Sequence, residues 1–366
     1  MKIVLAIDSF KGCLSSQEVE ETFARALQQQ GAEIIALPMS DGGEGMLEAF
    51  ISALQGSFID APAHDPLMRP IRARYGQTAD GTAVIETARA CGLTLMTAEE
   101  RNPLLATTYG VGELISHAIK QGCRNFIIGL GGSGTSDAGT GMLQALADIF
   151  TTDQKIEELP DSCLKECHFT LACDVRNPLY GPHGAAHIFG PQKGATPEMV
   201  CQLDERAKRF AQESARRMGK DLSQHPGAGA AGGLGYAFLQ YFHTRMESGA
   251  DLLLDLIHFD QQLKGADLVI TGEGHADRQT LMGKLPERVL RRTQKQNIPV
   301  WLLAGQADDT ARLLEAGFTK VDSITPKEMP LEEALQAETA KRNIRKFIFE
   351  KLLSPTREQD VPLNQD

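Results

Sequence analysis

The sequence predicts an α/β protein: a flavodoxin-like, doubly wound parallel-sheet domain with a second, inserted mixed α/β domain. Three observations carry that expectation. Short apolar, β-branched runs alternate with helical segments at both ends of the chain, a rhythm that implies a parallel sheet covered by helices on both faces. Together the two ends supply five such strands, the number that suits a flavodoxin-like sheet. The middle opens instead with apolar–polar alternation around Asp80-Gly81, a hairpin signal foreign to a purely parallel sheet. The length of 366 residues favours two domains. The expected division is residues 1–60 plus 265–366 for the flavodoxin-like domain and 61–264 for the insertion, with the active site in the cleft between them.

Each element has a local reason. Residues 2–7 are brief, β-branched and followed by polar residues, as a buried strand should be. Ser15-Ser16-Gln17-Glu18 is a capping box, and the helix it opens should run to about residue 30 and stop at Gly31. A second strand is expected at 34–38, then a glycine-rich loop and a helix to about residue 54. In the middle, residues 58–86 form the hairpin region, 111–121 a helix, 125–129 a strand, and a polar loop leads to a helix through 149. A further strand at 169–173 ends at Asp174. The alanine-glycine run at 226–235 is the nearest thing to low complexity. The C-terminal part predicts a strand at 267–271, a loop at 272–277, a helix at 285–295, a strand at 299–304 and a helix at 309–316. A last strand at 320–324 and a long helix at 331–353 follow, and the tail after Pro355 should be loose.

Composition excludes several function classes. The net charge is −11 and no lysine-arginine stripe stands out, which argues against a nucleic-acid partner. The seven cysteines are odd in number and scattered without a CxxC pair, as expected for reduced thiols in a cytoplasmic protein. The apolar run near the start spans only residues 3–7, so it does not resemble a signal peptide. Nothing approaches the roughly 18 apolar residues of a membrane span. Oligomeric state is left open.

The polar loops carry the chemistry. After the strand at 125–129 comes Gly129-x-Gly131-x-x-Gly134, the spacing of a dinucleotide fingerprint. A second such spacing at Gly227, Gly229 and Gly232 weakens that signal, and neither loop ends in the GK[ST] of a P-loop. Gly131, Gly132, Ser133, Thr135 and Ser136, with Asp137 before a helix, instead suit a bound phosphate or carboxylate. Asp8, Ser9 and Lys11 end the first strand, where ligands gather in open α/β sheets. There an acid can hold Mg²⁺ or accept a proton, and a lysine can neutralise a phosphoryl oxygen. Ser40-Asp41-Gly42-Gly43-Glu44-Gly45 offers close backbone approach and two acids that would repel unless a cation or donor lies between them; Asp41 could equally be a helix cap. Asp174, Arg176 and Asn177 combine an acid, a guanidinium and an amide, suited to a carboxylate. His183 and His187 lack a third ligand for zinc. Residues 272–280 are densely polar, with Glu273, Asp277, Arg278 and Gln279, and Lys284 follows. Many acids, few cations and abundant N–H donors fit phosphoryl transfer. A nicotinamide-dependent oxidoreductase is the rival from another class; it needs an acid about twenty residues after the glycines, for which Asp148 and Asp153 qualify only by distance.

The motifs AIDSFKGCLS, MSDGGEGM, NPLLATTYGVGELI, GGSGTSDAGTGM, CDVRNPLYGPHGAA, FGPQKGAT, PGAGAAGGLGYAF and DLVITGEGHADRQTLMGK run in order through the chain. In them the sequence resembles the type 1 glycerate kinase family over nearly its whole length. The resemblance implies ATP-dependent, Mg²⁺-assisted phosphorylation of D-glycerate, at the C2 hydroxyl as in bacterial glycerate 2-kinases, giving 2-phosphoglycerate and ADP. It also implies a flavodoxin-like domain paired with a second α/β domain, and a setting in cytoplasmic catabolism of glyoxylate or sugar acids. On this reading Asp174, Asp277 or Asp8 orients the hydroxyl and takes its proton, Lys11 lies against the transferring phosphate, and Glu273 or Asp41 stands near Mg²⁺. Arg176 or Arg278 anchors the glycerate carboxylate. Ser9, Gly42, Gly43, the loop from Gly131 to Asp137, Asn177, Gln279 and Lys284 supply further binding contacts. Ser136 and His275 depart from the amide and arginine frequent in relatives; Ile7 and Cys13 stand where proline and serine are frequent. Formation of 3-phosphoglycerate, or action on another small sugar acid, is the alternative within the same class. A non-catalytic ligand sensor is disfavoured because the acid and lysine positions are filled.

Overall fold

A computed structural model describes residues 1–351 apart from 11, 29, 30, 41, 42 and 44. The expected loose tail therefore lies outside the described residues. The chain divides into two compact units, one made of Met1–Pro38 with the chain from Asp260 onward, the other of Met39–Phe259.

The first unit opens with β1 (Lys2–Ile7) and β2 (Glu33–Ala36), joined by the helix Ser16–Gln28. The second unit contains β3 (Ser57–His64), β4 (Pro70–Gln77), β5 (Thr82–Glu86), β6 (Asn125–Gly129), β7 (His168–Ala172) and β8 (His243–Glu247). The chain then returns to the first unit for β9 (Leu268–Ala276), β10 (Val300–Ala307) and β11 (Lys320–Ser323).

In the first unit all five strands are parallel, in the order β11-β10-β9-β1-β2. Counted along that unit alone this is 2-1-3-4-5, the flavodoxin-like order. β1 is an interior strand, between β9 and β2, and buried on both faces, which is why it is apolar almost throughout. Ile3, Leu5 and Ile7 pack with Phe23, Leu27, Trp301, Ile344 and Ile348 into one core. Two expectations need correction. The stretch at 272–276 is strand, not loop: β9 runs on past β1 and pairs with β10, Glu273 opposite Ala304 and His275 opposite Gln306. Glycine permits this closeness, since a Cβ on Gly272 would lie 2.0 Å from the Leu303 carbonyl oxygen. The terminal helix is also two, Leu331–Ala334 and Ala337–Lys351.

The second unit has one six-stranded sheet in chain order, with β3, β4 and β5 antiparallel and β5 to β8 parallel. There are two hairpins where the alternation suggested one. The first is closed by Asp65, whose carboxylate accepts the N–H of Leu67 (2.8 Å) and Arg69 (2.9 Å), a local mimic of a backbone turn. β8 was not anticipated, because HTRME is a polar edge strand with no apolar run. The 22-residue helix Pro197–Met218 was also missed; Thr196 caps it by accepting from the Met199 N–H, and Gly219 ends it in the left-handed region. Phe126 and Phe169 stack at 4.9 Å, with Phe238 5.1 Å from Phe169, in the core between sheet and helices. No helix among the described residues is long and apolar enough to cross a membrane.

Candidate active site

In the first unit the polar residues gather at the carboxyl ends of β1 and β9. The Asp8 N–H donates to the Gly272 carbonyl (3.0 Å), which sets Asp8 beside the β9 extension. Asp8 is 6% exposed and accepts from the Ser9 N–H, while the Ser9 hydroxyl is buried without a partner among the described residues. Glu273 is also buried; its Oε1 accepts from Thr280 Oγ1 (2.7 Å) and its Oε2 from Lys284 Nζ (2.8 Å). Asp277 caps the short turn Arg278–Leu281, with its carboxylate on the Gln279 N–H (2.7 Å) and its own N–H on Thr280 Oγ1 (3.0 Å). Thr280 thus ties the two acids together. Arg278 and Gln279 are exposed. His275 bonds Asp308 at 2.8 Å and holds that carboxyl below its usual range. Lys11, Asp41 and Gly42 lie outside the described residues; Gly43 is half-buried.

In the second unit the loop at 130–139 joins β6 to the helix Thr140–Phe150. It is pinned on two sides. The Leu93 N–H donates to the Gly132 carbonyl (3.0 Å) and the Gly134 N–H to that of Cys91 (2.8 Å); on the other side the Ala138 N–H donates to the Gly232 carbonyl (3.0 Å). Asp137 faces inward at 6% exposure. Its carboxylate accepts from the Thr108 N–H and hydroxyl, both at 2.9 Å, and from the N–H groups of Gly139 (3.0 Å) and Gly141 (3.1 Å). Asp137 therefore shapes the loop. Ser133 and Thr135 are buried beneath exposed Gly132, and Ser136 has a buried hydroxyl without a partner among the described residues.

The loop after β7 carries Asp174 and Arg176, both exposed, and Asn177, whose side-chain amide donates to the His183 carbonyl (2.9 Å). His183 precedes the helix Ala185–Phe189 and His187 lies within it, so the pair does not share a helical face. Among the described residues no group of three or more His, Cys, Asp or Glu is placed to hold a metal ion.

The alanine-glycine run is what holds both loops. The Gly229 N–H donates to the Asn177 carbonyl (2.9 Å). A Cβ on Gly229 would lie 2.3 Å from the Pro178 carbonyl oxygen, one on Gly232 2.0 Å from that of Thr135, and one on Gly233 2.7 Å from Ala138 Cα. The second glycine spacing in the sequence thus marks a close backbone seam. The first does not build a dinucleotide site: such a fingerprint turns directly into its helix, whereas here the helix begins at Thr140. Asp148 lies inside that helix and accepts from Tyr109 Oη and Gln144 Nε2, both at 2.8 Å, while Asp153 pairs with Lys155.

Sequence reasoning missed Lys193. It is 2% exposed, and its ammonium donates to Ser133 Oγ (3.0 Å) and the Thr135 carbonyl (2.6 Å). Its motif, FGPQKGAT, was visible in the sequence, but nothing local linked it to a loop 60 residues away.

A flavodoxin-like sheet with carboxylates at its strand ends, one of them bonded to a lysine, in a chain whose other unit presents a glycine-hydroxyl loop backed by an ammonium, fits an α/β phosphotransferase. The chain belongs to the glycerate kinase family, whose profile matches residues 3–351. It is 44% identical to a glycerate kinase of Haemophilus influenzae, over 83% of this chain and 86% of that one. To a glycerate kinase of Bacillus subtilis it is 40% identical, over 92% and 93%. It is 38% identical to the glycerate 2-kinase of Escherichia coli, again over 92% and 93%. A crystal structure from Salmonella typhimurium LT2, provisionally assigned as glycerate kinase 2, superposes with a TM-score of 0.77 at 37% identity, covering 94% of this chain and 95% of that one.

Proposed function

We propose that this protein transfers the γ-phosphoryl group of ATP to the C2 hydroxyl of D-glycerate, giving 2-phosphoglycerate and ADP. The observation that carries the reading is the near full-length similarity to relatives named as glycerate kinases, with C2 taken from the Escherichia coli relative's name. In the reaction a bond forms between the glycerate oxygen and the γ-phosphorus, the bond from that phosphorus to the β–γ bridging oxygen breaks, and the hydroxyl proton passes to a carboxylate. Such chemistry asks a protein mainly to position and neutralise.

Asp174, Asp277 and Asp8 remain the acids assigned to orient the hydroxyl and accept its proton. Arg176 and Arg278 are exposed guanidinium groups suited to a bidentate hold on the glycerate carboxylate. The loop at 131–137 receives a phosphate or carboxylate on its N–H groups and hydroxyls. Lys284 offers a cation to the phosphates, with Lys11 as its expected partner. Mg²⁺, when bound, would neutralise phosphate charge. Glu273 fits that task, since each of its oxygens accepts a single hydrogen bond and keeps lone-pair capacity, and Mg²⁺ sites of this kind use few protein carboxylates. Asp41 is the second acid assigned to it.

The test is to mix the purified protein with D-glycerate, ATP and Mg²⁺ and identify the product by phosphorus and proton NMR. A 2-phosphoglycerate signal that disappears without Mg²⁺ is expected. A 3-phosphoglycerate signal would overturn the C2 assignment, and absence of turnover in folded protein would overturn glycerate as substrate. Asp174→Asn or Asp277→Asn is expected to cut kcat by at least about a hundredfold if that residue is the base; full turnover in the variant removes it from the mechanism.

A further inference from the structure

The proposed function leaves the buried ammonium under the loop without a task. We propose that Lys193 is a positioning residue: by donating to Ser133 Oγ it makes the Ser133 hydroxyl an obligate donor to the substrate anion received by the loop at 131–137. The inference rests on the reading of that loop as an anion receiver.

The argument begins with valence. A lysine ammonium has three N–H donors and no acceptor. It is 3.0 Å from Ser133 Oγ, so the hydroxyl oxygen must accept there, and its own proton is left for another partner. A second ammonium donor goes to the Thr135 carbonyl at 2.6 Å, which fixes the lysine beneath the loop rather than at its mouth. Ser133 keeps 9% of its surface exposed, next to exposed Gly132, so the loop rim is where that proton can be offered. Gly132 has φ +75° and Gly194, just after the lysine, φ +90°; the chain turns in the left-handed region at both places. Donation from a charged group also polarises the hydroxyl and strengthens the bond it gives.

The titratable groups bearing on Lys193 are the Cys91 thiol and the Asp137 carboxylate. Burial pushes Cys91 up to about 12, so it is uncharged, and Asp137 is already held by four hydrogen bonds of 2.9 to 3.1 Å from Thr108, Gly139 and Gly141. Burial pushes the lysine itself down to about 8. Once deprotonated, the amine gains a lone pair, Ser133 can turn its proton inward to it, and the outward donor is lost. The arrangement therefore gives anion binding an alkaline limb.

The experiment measures KM and kcat for glycerate and for ATP from pH 6 to 10 in wild type, Ser133→Ala, Lys193→Met, Lys193→Arg and the Ser133→Ala/Lys193→Met pair. Calorimetric titration with ADP and with D-glycerate accompanies it. Each single variant is expected to weaken the same ligand about tenfold, the size of one charge-assisted hydrogen bond. The double variant should be no worse than either single one, because both remove the same donor. The wild-type KM for that ligand should climb above pH 8; Ser133→Ala should lose the climb, and Lys193→Arg should keep tight binding to higher pH. Additive losses, equal losses for both ligands, or a climb that survives in Ser133→Ala overturn the proposal. If Lys193→Met does not fold, the Ser133→Ala pH profile decides alone. Wild type that binds ADP but does not phosphorylate glycerate overturns the substrate reading; a tenfold loss of ADP affinity in Ser133→Ala would still support this one.

Discussion

Lys193 makes a stability prediction separate from its role at the loop. Its pKa lies near 8 in the folded protein against an ordinary 10.5. Below pH 8 both folded and unfolded chains hold the proton, and the cost of burying charge stands in full. Between about pH 8 and 10.5 the folded chain releases its proton first, so stability rises with pH, by about 3 kcal/mol in total. Urea unfolding at pH 7 and pH 10 should show wild type gaining on Lys193→Met by that order; no relative gain would refute the assignment. Ala138 offers a second residue-scale case. It holds φ +55°, in the left-handed region that disfavours a side chain, next to Gly139 at +76°. Ala138→Gly is expected to raise stability by less than about 1 kcal/mol, since relief of that strain is partly offset by loss of a buried methyl. A lower melting temperature in that variant would contradict the account.

At the scale of elements, the helix Ser16–Gln28 is bound to β1 through Glu20, which accepts from the Ile7 N–H at 3.0 Å and is 1% exposed. Burial pushes the Glu20 carboxyl well above its usual value. Its favourable contribution is present below the unfolded value near 4.5 and is lost as pH rises through the folded one. Glu20→Gln should therefore gain on wild type between pH 4 and pH 8 in denaturant unfolding. The alanine-glycine seam predicts a loss instead. Gly232→Ala places a methyl into the Thr135 carbonyl at φ +66°, and is expected to cost more than about 2 kcal/mol and to lower kcat with it. Elements of this kind were unevenly legible. β1 and β6 were plain because buried parallel strands are apolar along their whole length. β8 was hidden by its polar edge, and the end of β9 by glycines and acids that resemble a loop until β10 is seen beside them.

At the scale of the whole molecule, the Met39–Phe259 unit is one continuous stretch of chain with its own sheet and core. Expressed alone, residues 39–259 should fold. The readout is clean, because all five tyrosines fall in this unit and the single tryptophan, Trp301, falls in the other. Ordered tyrosine near-UV dichroism and a cooperative urea transition are expected; a featureless spectrum would refute independence. The acids at strand ends were legible because open α/β sheets collect ligands there. Lys193 and the glycine seam were not, because their meaning lies in backbone approaches between segments far apart in sequence.

The same insertion has a consequence for biosynthesis. β1 is an interior strand of its sheet, yet its neighbour β9, the central strand, lies 265 residues downstream. At roughly 5–20 residues per second on the ribosome, β1 waits on the order of 15 to 50 s before that neighbour is made. By then the whole inserted unit has been translated. The part of the protein that leaves the ribosome first is thus the last to be completed, and in the meantime β1 has only β2 to pair with.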